Sequence, residues 1–210
     1  MTVRDLFSPK DRILDTLSRG PAVPIPFETV NAAFLSHVRA RPTVEAIRDL
    51  SSDGEAERSV TYEELAYFAG FIAGRLRENG VRPGARVPLV ARRGLEMVAG
   101  ILGILFVGAQ YIPLDGGVVS DSTLAHVLSQ SGSKIILTLH SLEHRLEAIK
   151  PENVLFLDQL LAEATMYESN LDLTEAEYAA TSNSGCYVIY TSGKVHSEKS
   201  VSFCPFLTVL

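Results

Sequence analysis

Tyr187-Val188-Ile189-Tyr190-Thr191-Ser192-Gly193 is the stretch on which the reading of this chain turns. Four strand-forming residues run into two hydroxyls and a glycine, the order in which a strand leaves a sheet and opens into a loop that closes on phosphate oxygens. Hydroxyls donate to such oxygens, and a residue without Cβ lets backbone N–H groups approach them. Loops of this kind usually continue with more glycine and a lysine. This one continues Lys194-Val195-His196-Ser197-Glu198-Lys199-Ser200, with no further glycine. Taken alone, Thr191, Ser192 and Gly193 also suit an ordinary turn. A P-loop is excluded, because its first glycine would fall at Val188 and Val195 stands where a magnesium-binding hydroxyl is needed.

Upstream of this strand the chain alternates. Phe27 to Ala40 has apolar residues at helical spacing (Val30, Phe34, Val38), and Val44 to Leu50 and Arg58 to Val60 read as short strands around the turn Ser51-Ser52-Asp53-Gly54. Thr61 and Glu64 form a capping box ahead of Leu65, Phe68, Ala69, Ile72, Ala73 and Leu76, and Gly80 closes that helix. Then follow strand Arg86 to Ala91, helix Gly94 to Gly108, strand Tyr111 to Leu114, helix Ser120 to Ser131 and strand Lys134 to Leu139. Helix Leu142 to Ile149, strand Val154 to Leu157, helix Asp158 to Ala164 and strand Cys186 to Thr191 complete the series. Strands alternating with helices imply βαβ units and a mainly parallel sheet covered on both faces. The expected fold class is therefore α/β. Gly100, Gly103 and Gly108 are expected to let their helix pack closely on the sheet, with Glu96 in its first turn favoured by the helix dipole.

Three short segments carry a resemblance. Val60-Thr61-Tyr62-Glu63-Glu64-Leu65 follows the form Leu-(Thr/Ser)-Tyr-x-Glu-Leu; Leu105-Phe106-Val107-Gly108-Ala109-Gln110-Tyr111-Ile112-Pro113-Leu114-Asp115 follows Leu-Lys-Ala-Gly-x-Ala-Tyr-(Val/Leu)-Pro-(Leu/Ile)-Asp; and the run ending at Gly193 opens a phosphate loop. In this order they resemble the adenylation domains of nonribosomal peptide synthetases, within the AMP-forming acyl- and aminoacyl-adenylate ligases. The resemblance runs roughly from Phe27 to Gly193 and breaks at Lys194, where the family goes on as Thr/Ser-Thr-Gly-x-Pro-Lys-Gly. It also departs after Asp115, where prolines and an arginine are usual and Gly116-Gly117-Val118-Val119-Ser120-Asp121 stands instead.

The resemblance implies the incomplete N-terminal large subdomain of the adenylate-forming ligase fold, with Thr191, Ser192 and Gly193 lining the β- and γ-phosphate side of ATP. It implies a ligase that joins a carboxylate to the α-phosphate of ATP with Mg²⁺, releases pyrophosphate, and passes the acyl group to the phosphopantetheine thiol of a carrier protein domain. No role passes to Lys194 or Lys199. The family's specificity pocket, ribose-binding aspartate, hinge and catalytic lysine lie downstream of the third motif, so this chain alone is expected to be inactive. Thr61, Glu64, Leu65, Tyr111, Pro113 and Asp115 have structural explanations of their own: a helix cap, a core anchor, a packed strand, a strand end or edge, and a turn cap.

The domain organisation expected is a surface leader over 1–26, with Pro9, Pro21, Pro24, Pro26 and at most a short helix around Asp11 to Leu17; the adenylation part over 27–193; and a disordered tail without homology over 194–210. The tail reads as translated intron or a misplaced exon end, because the match vanishes within one residue. Two other classes stay open. One is a non-catalytic interaction module using the exposed remnant of the sheet. The other is a zinc hydrolase, since His140-Ser141-Leu142-Glu143-His144 matches H-x-x-E-H, although the same residues also form a solvated helix face.

Composition bounds these readings. The 210 residues are 46% hydrophobic, enough for a substantial core. A net charge of -6, with no cluster of Lys and Arg, argues against a nucleic-acid binder. The longest apolar stretch, Met97 to Ala109, is too short for a bilayer, which needs about 20 residues. The N-terminus has acids at Asp5 and Asp11 and no apolar core, so it does not read as a secretory signal, and a cytoplasmic location is expected. Cys186 and Cys204 are too few to staple the fold or build a metal cluster.

Overall fold

The computed structural model describes residues 24, 26–50, 57–147, 149, 151–166, 173, 176 and 179–190, together with the backbone of Ser200–Phe203. The leader's expected helix, the turn at 51–54 and most of the tail lie outside the described residues.

Five strands make a parallel sheet: β3 (Arg86–Ala91), β4 (Gln110–Asp115), β5 (Ile135–Thr138), β6 (Asn153–Phe156) and β7 (Tyr187–Tyr190). A sixth, β8 (Ser200–Phe203), joins antiparallel to β7, and the order across the sheet is β6-β5-β3-β4-β7-β8. Four residues of the segment over 194–210 thus pair with β7. A separate antiparallel hairpin is formed by β1 (Glu45–Asp49) and β2 (Arg58–Thr61).

Strand periodicity assigns the layers. On β3, Val87, Leu89 and Ala91 join Ile135 and Leu137 of β5 in the larger core, while Val90 and Ile136 turn to the opposite face. The larger core is filled by α2 (Tyr62–Glu78), α3 (Leu95–Phe106) and α5 (Leu157–Ala164), with α1 (Val30–Ala40) outside them. The other face is covered by Leu124 and Leu128 of α4 (Asp121–Ser131) and by Leu142 and Leu146. Both faces of the sheet are therefore covered, which is why its central strands read as continuous apolar runs.

Local signals set most boundaries. Thr61 Oγ1 accepts the Glu64 N–H at 3.2 Å and Glu64 Oε2 accepts the Thr61 N–H at 2.7 Å, so the capping box forms and Leu65 is buried. At the other end of α2, Gly80 has φ +85 and lets the Val81 N–H reach back to the Leu76 carbonyl. The first helix begins at Val30 rather than Phe27, because the Thr29 side chain accepts the Ala32 N–H and so sets the start. The expected helix Leu142 to Ile149 is instead a 3-10 helix over His140–Arg145.

The glycines of α3 do not all serve the sheet. A Cβ at Gly100 would meet Leu89 of β3 at 3.0 Å, but one at Gly103 would meet Ile72 of α2 at 2.5 Å. Gly103 thus brings two helices together.

Candidate functional site

Parallel strands end on a common edge, and ligands of such sheets bind beyond those carboxyl ends. Here that edge receives the segment after β7, the loop after β4, and the segments after β3 and β5. Thr191, Ser192 and Gly193 lie outside the described residues. What is described is how they are delivered. Tyr111 donates its N–H to the Cys186 carbonyl at 3.2 Å, and the β4–β7 register is fixed at Tyr111↔Tyr187. The two rings lie 5.7 Å apart, and Cys186 is buried beneath this junction. Burial, followed by the influence of Cys186 and Tyr187, pushes the Tyr111 hydroxyl up to about 12. That favours the neutral phenol as a packing group.

Pro113 gives this edge its shape. Gln110 donates its N–H to Ala85 on the β3 side, whereas Tyr111 donates toward β7. Backbone donors alternate along a strand, so the nitrogen of Pro113 faces β7 and has no proton to give. β3 continues to pair with β4 as far as Ala91↔Asp115, but no further pair joins β4 to β7 among the described residues. Pro113 therefore lies neither at a strand end nor at a sheet edge, the two places its residue type suggests. It lies inside the sheet and stops the pairing, so β7 runs on toward Thr191 without further pairing to β4.

The loop after β4 is tightly held. Asp115 Oδ1 accepts the Gly117 N–H at 2.9 Å, which is the turn cap expected of it, and the Ala91 carbonyl accepts the Gly116 N–H at 3.0 Å. Arg145, from the 3-10 helix, donates to the Gly116 carbonyl at 2.7 Å, the Val119 carbonyl at 2.5 Å and Asp121 Oδ1 at 2.6 Å. A glycine-rich loop that lacks the family's prolines is thus fixed by an arginine from another element. Its acceptors sit 24 to 29 residues earlier in the chain, so no local pattern marks it.

His140 and His144 do not form a zinc pair. On a 3-10 helix, residues four apart lie about 120° apart around the axis. His140 is engaged with Asp158, its Nδ1 lying 3.0 Å from Oδ1. No group of three metal-capable residues occurs among the described residues. No described helix is long and apolar enough to cross a membrane.

Sequence reasoning also missed Asn31. Its buried amide donates to the Leu105 carbonyl at 2.8 Å and to the Ala176 carbonyl at 2.8 Å, tying α1 to the end of α3 and to the segment leading to β7.

The fold and the three motifs define the N-terminal part of the adenylate-forming ligase fold. The chain belongs to the AMP-binding enzyme family, which it matches over residues 34–193. Adenylate-forming reductase 06235 of Coprinopsis cinerea is 39% identical over 178 residues, 85% of this chain and 16% of its own length. Zwittermicin A synthase ZmaJ of Bacillus cereus is 35% identical over 145 residues, 69% of this chain and 26% of its own length. A crystal structure of the nonribosomal peptide synthetase FmoA3 in its AMPPNP-bound form covers 95% of this chain and 20% of that chain, with a TM-score of 0.72 and 30% identity. The fatty acyl-adenylate ligase of L. pneumophila, at 22% identity and TM-score 0.66, shares the fold over 85% of this chain and 31% of its own. This chain spans less than a fifth of the length of the two reductases it matches.

Proposed function

We propose that residues 27–193 form the N-terminal part of an enzyme that activates a carboxylic acid as its acyl-adenylate and hands the acyl group to the phosphopantetheine thiol of a carrier protein domain. The observation that carries this reading is the family match ending on the residue where the third motif stops, at Gly193. In that reading Thr191 and Ser192 donate to the β- and γ-phosphates of ATP, and Gly193 lets the backbone approach them. Mg²⁺ would neutralise charge on the phosphates as pyrophosphate leaves. The substrate is a small amino or aryl acid, and the location is cytoplasmic. The identity to two adenylate-forming reductases, 39% and 40%, exceeds the 35% to Zwittermicin A synthase ZmaJ, which favours a parent enzyme of the reductase kind.

Exchange of labelled pyrophosphate into ATP tests the reading. This chain alone is expected to give background exchange with every acid, because the third motif breaks at Lys194, before the family's loop lysine. A longer product of the same gene should give exchange that depends on one class of carboxylic acid. Acid-dependent exchange by this chain, or none by the longer product, would overturn it.

A further inference from the structure

The carboxyl ends of two helices meet just before β3 and β4, at the amino ends of the strands. α2 closes at Glu78 and α3 at Phe106, and Arg77 Nη2 donates to the Phe106 carbonyl at 2.8 Å, joining the two ends. Beside this junction lies an open cavity of about 550 Å³ with an apolar lining of Val81, Pro83, Val107 and Ala179. Its walls are preformed. The Gly84 N–H donates to the Gly108 carbonyl at 2.8 Å, and a Cβ on Gly108 would strike both the Ala179 carbonyl and Pro83. Of the charged groups at the cavity, Glu78 is held by Arg75 at 3.2 Å. Arg82 Nη1 donates to the carbonyls of Arg77 and Val81, while its Nε and Nη2 have no partner among the described residues. The cavity therefore offers apolar surface with one available cation at its rim.

The chain enters the fold beside this cavity. The Asn31 amide donates to the carbonyls of Leu105 and Ala176, two residues before Val107 and three before Ala179. Leu17 lies 14 residues ahead of Asn31, within roughly 46 Å of fully extended chain. In the helix that the sequence predicts around Asp11 to Leu17, Ile13, Leu14 and Leu17 share one side, and Asp11 and Asp15 stand one turn apart along its border. A helix this short is marginal in water on its own, so its apolar side needs cover. The cavity supplies that cover, and its cation complements the acids. A tether of this length holds the leader at about millimolar effective concentration, which favours it over a second copy of the chain.

We propose that the cavity beside the ends of α2 and α3 receives the chain's own leader, with Ile13, Leu14 and Leu17 against Val81, Pro83, Val107 and Ala179, and Asp15 paired with Arg82. The leader is then a strap across the amino ends of the strands. It stands whether or not the adenylation reading holds.

Hydrogen exchange in the full chain, read on peptides covering residues 11–17, tests it. Because the isolated segment is marginally helical, slowed exchange there reports docking, and a slowing of about tenfold or more is expected at every chain concentration. Leu14→Asp should abolish it while leaving the amides of β3 and β4 as protected as in the parent chain. Arg82→Glu should weaken it, as should Asp15→Arg, and the two together should restore it, an outcome that damage to the fold would not produce. Unslowed exchange in the parent chain would leave the cavity to another occupant and overturn the proposal. So would protection that rises with concentration, which would place a second copy's leader there, or protection indifferent to the Arg82 and Asp15 variants.

Discussion

Asp49 caps a helix that begins 46 residues after it, its Oδ2 accepting the Leu95 N–H at 3.1 Å. Gly94, at the N-cap of α3, has no side chain to satisfy the free donors of the first turn, so a carboxylate from β1 does so. Arg58 completes the arrangement, donating to Asp49 at 2.8 Å and to Glu96 at 2.6 Å. The hairpin whose second strand opens the first motif is thereby fastened to the helix whose last residues open the second.

The contact makes stability depend on acid. The Leu95 N–H, with a smaller contribution from Arg58 and opposed by desolvation, holds the Asp49 carboxyl below the usual carboxylate range. A depressed folded value means that the unfolded chain binds the proton first on acidification, so this stabilisation is complete above the unfolded value and is lost as pH falls through the folded one. The decline belongs below about pH 4. Asp49→Asn should flatten the acid limb of a plot of urea midpoint against pH. At neutral pH, Asp49→Ala should cost about 1 kcal/mol, the usual loss of a helix cap. Parallel acid limbs for the Asp49→Asn variant and the parent chain would show that the contact carries no proton linkage.

Gly108 should be irreplaceable. It has φ +75, and a Cβ built on it would lie 2.1 Å from the Ala179 carbonyl oxygen. Left-handed backbone costs an alanine about 1–2 kcal/mol, and a clash with rigid backbone adds about as much again. Gly108→Ala is expected to lower unfolding free energy by roughly 2–4 kcal/mol in urea titration, whereas Gly74→Ala, with open space around it, should be neutral or stabilising. Equal effects at the two positions would contradict the packing.

Legibility in the sequence follows locality. Thr61 and Glu64 cap a helix within one turn of themselves, and Ser120 and Gly132 bracket α4 in the same way. The alternation of strand and helix, and with it the parallel sheet, follows from periods of 2 and 3.6. The 3-10 helix over His140–Arg145 reads as a longer α-helix because Leu142 and Leu146 are four apart, the α-helical spacing, although Leu146 lies just past the helix end. Pro113 suggests a strand end or edge, since a missing N–H is usually tolerated there; here it sits where pairing to β7 stops. Asn31, Arg145 and Asp49 have roles that no local pattern shows, because their partners lie 24 to 145 residues away. Thr191, Ser192 and Gly193 are legible only through the motif that ends with them, and they lie outside the described residues.

Asn31 is the sharpest of those non-local contacts. Its amide nitrogen donates to the carbonyls of both Leu105 and Ala176, and the residue is 2% exposed. Asn31→Leu should strand two carbonyls away from water, at about 1–3 kcal/mol each. Asn31→Asp should be worse, because it places acceptors against acceptors. Hydrogen exchange should report the damage first in α1 and at the end of α3. Unchanged exchange there in a folded Asn31→Leu chain would mean that water replaces the amide without loss.

The junction after Gly193 invites a test at the level of the message. The family match stops at residue 193 and the motif fails at the next position, which is how a reading frame entering an intron behaves rather than how a loop drifts by substitution. Gly193-Lys194-Val195 permits the codons GGT-AAG-GTN, in which GTAAG, a common intron donor, begins at the second base of the Gly193 codon. We therefore expect a spliced message that continues past Gly193 into a Thr/Ser-Thr-Gly-x-Pro-Lys-Gly loop and the downstream parts of an adenylation domain. The pairing of Ser200–Phe203 with β7 pulls the other way, since it gives those residues a place in the sheet. Sequencing transcripts across the Gly193 codon decides between them. A message that keeps Lys194 to Leu210 in frame, with no form that splices them out, would defeat the expectation and make β8 a native strand of this chain.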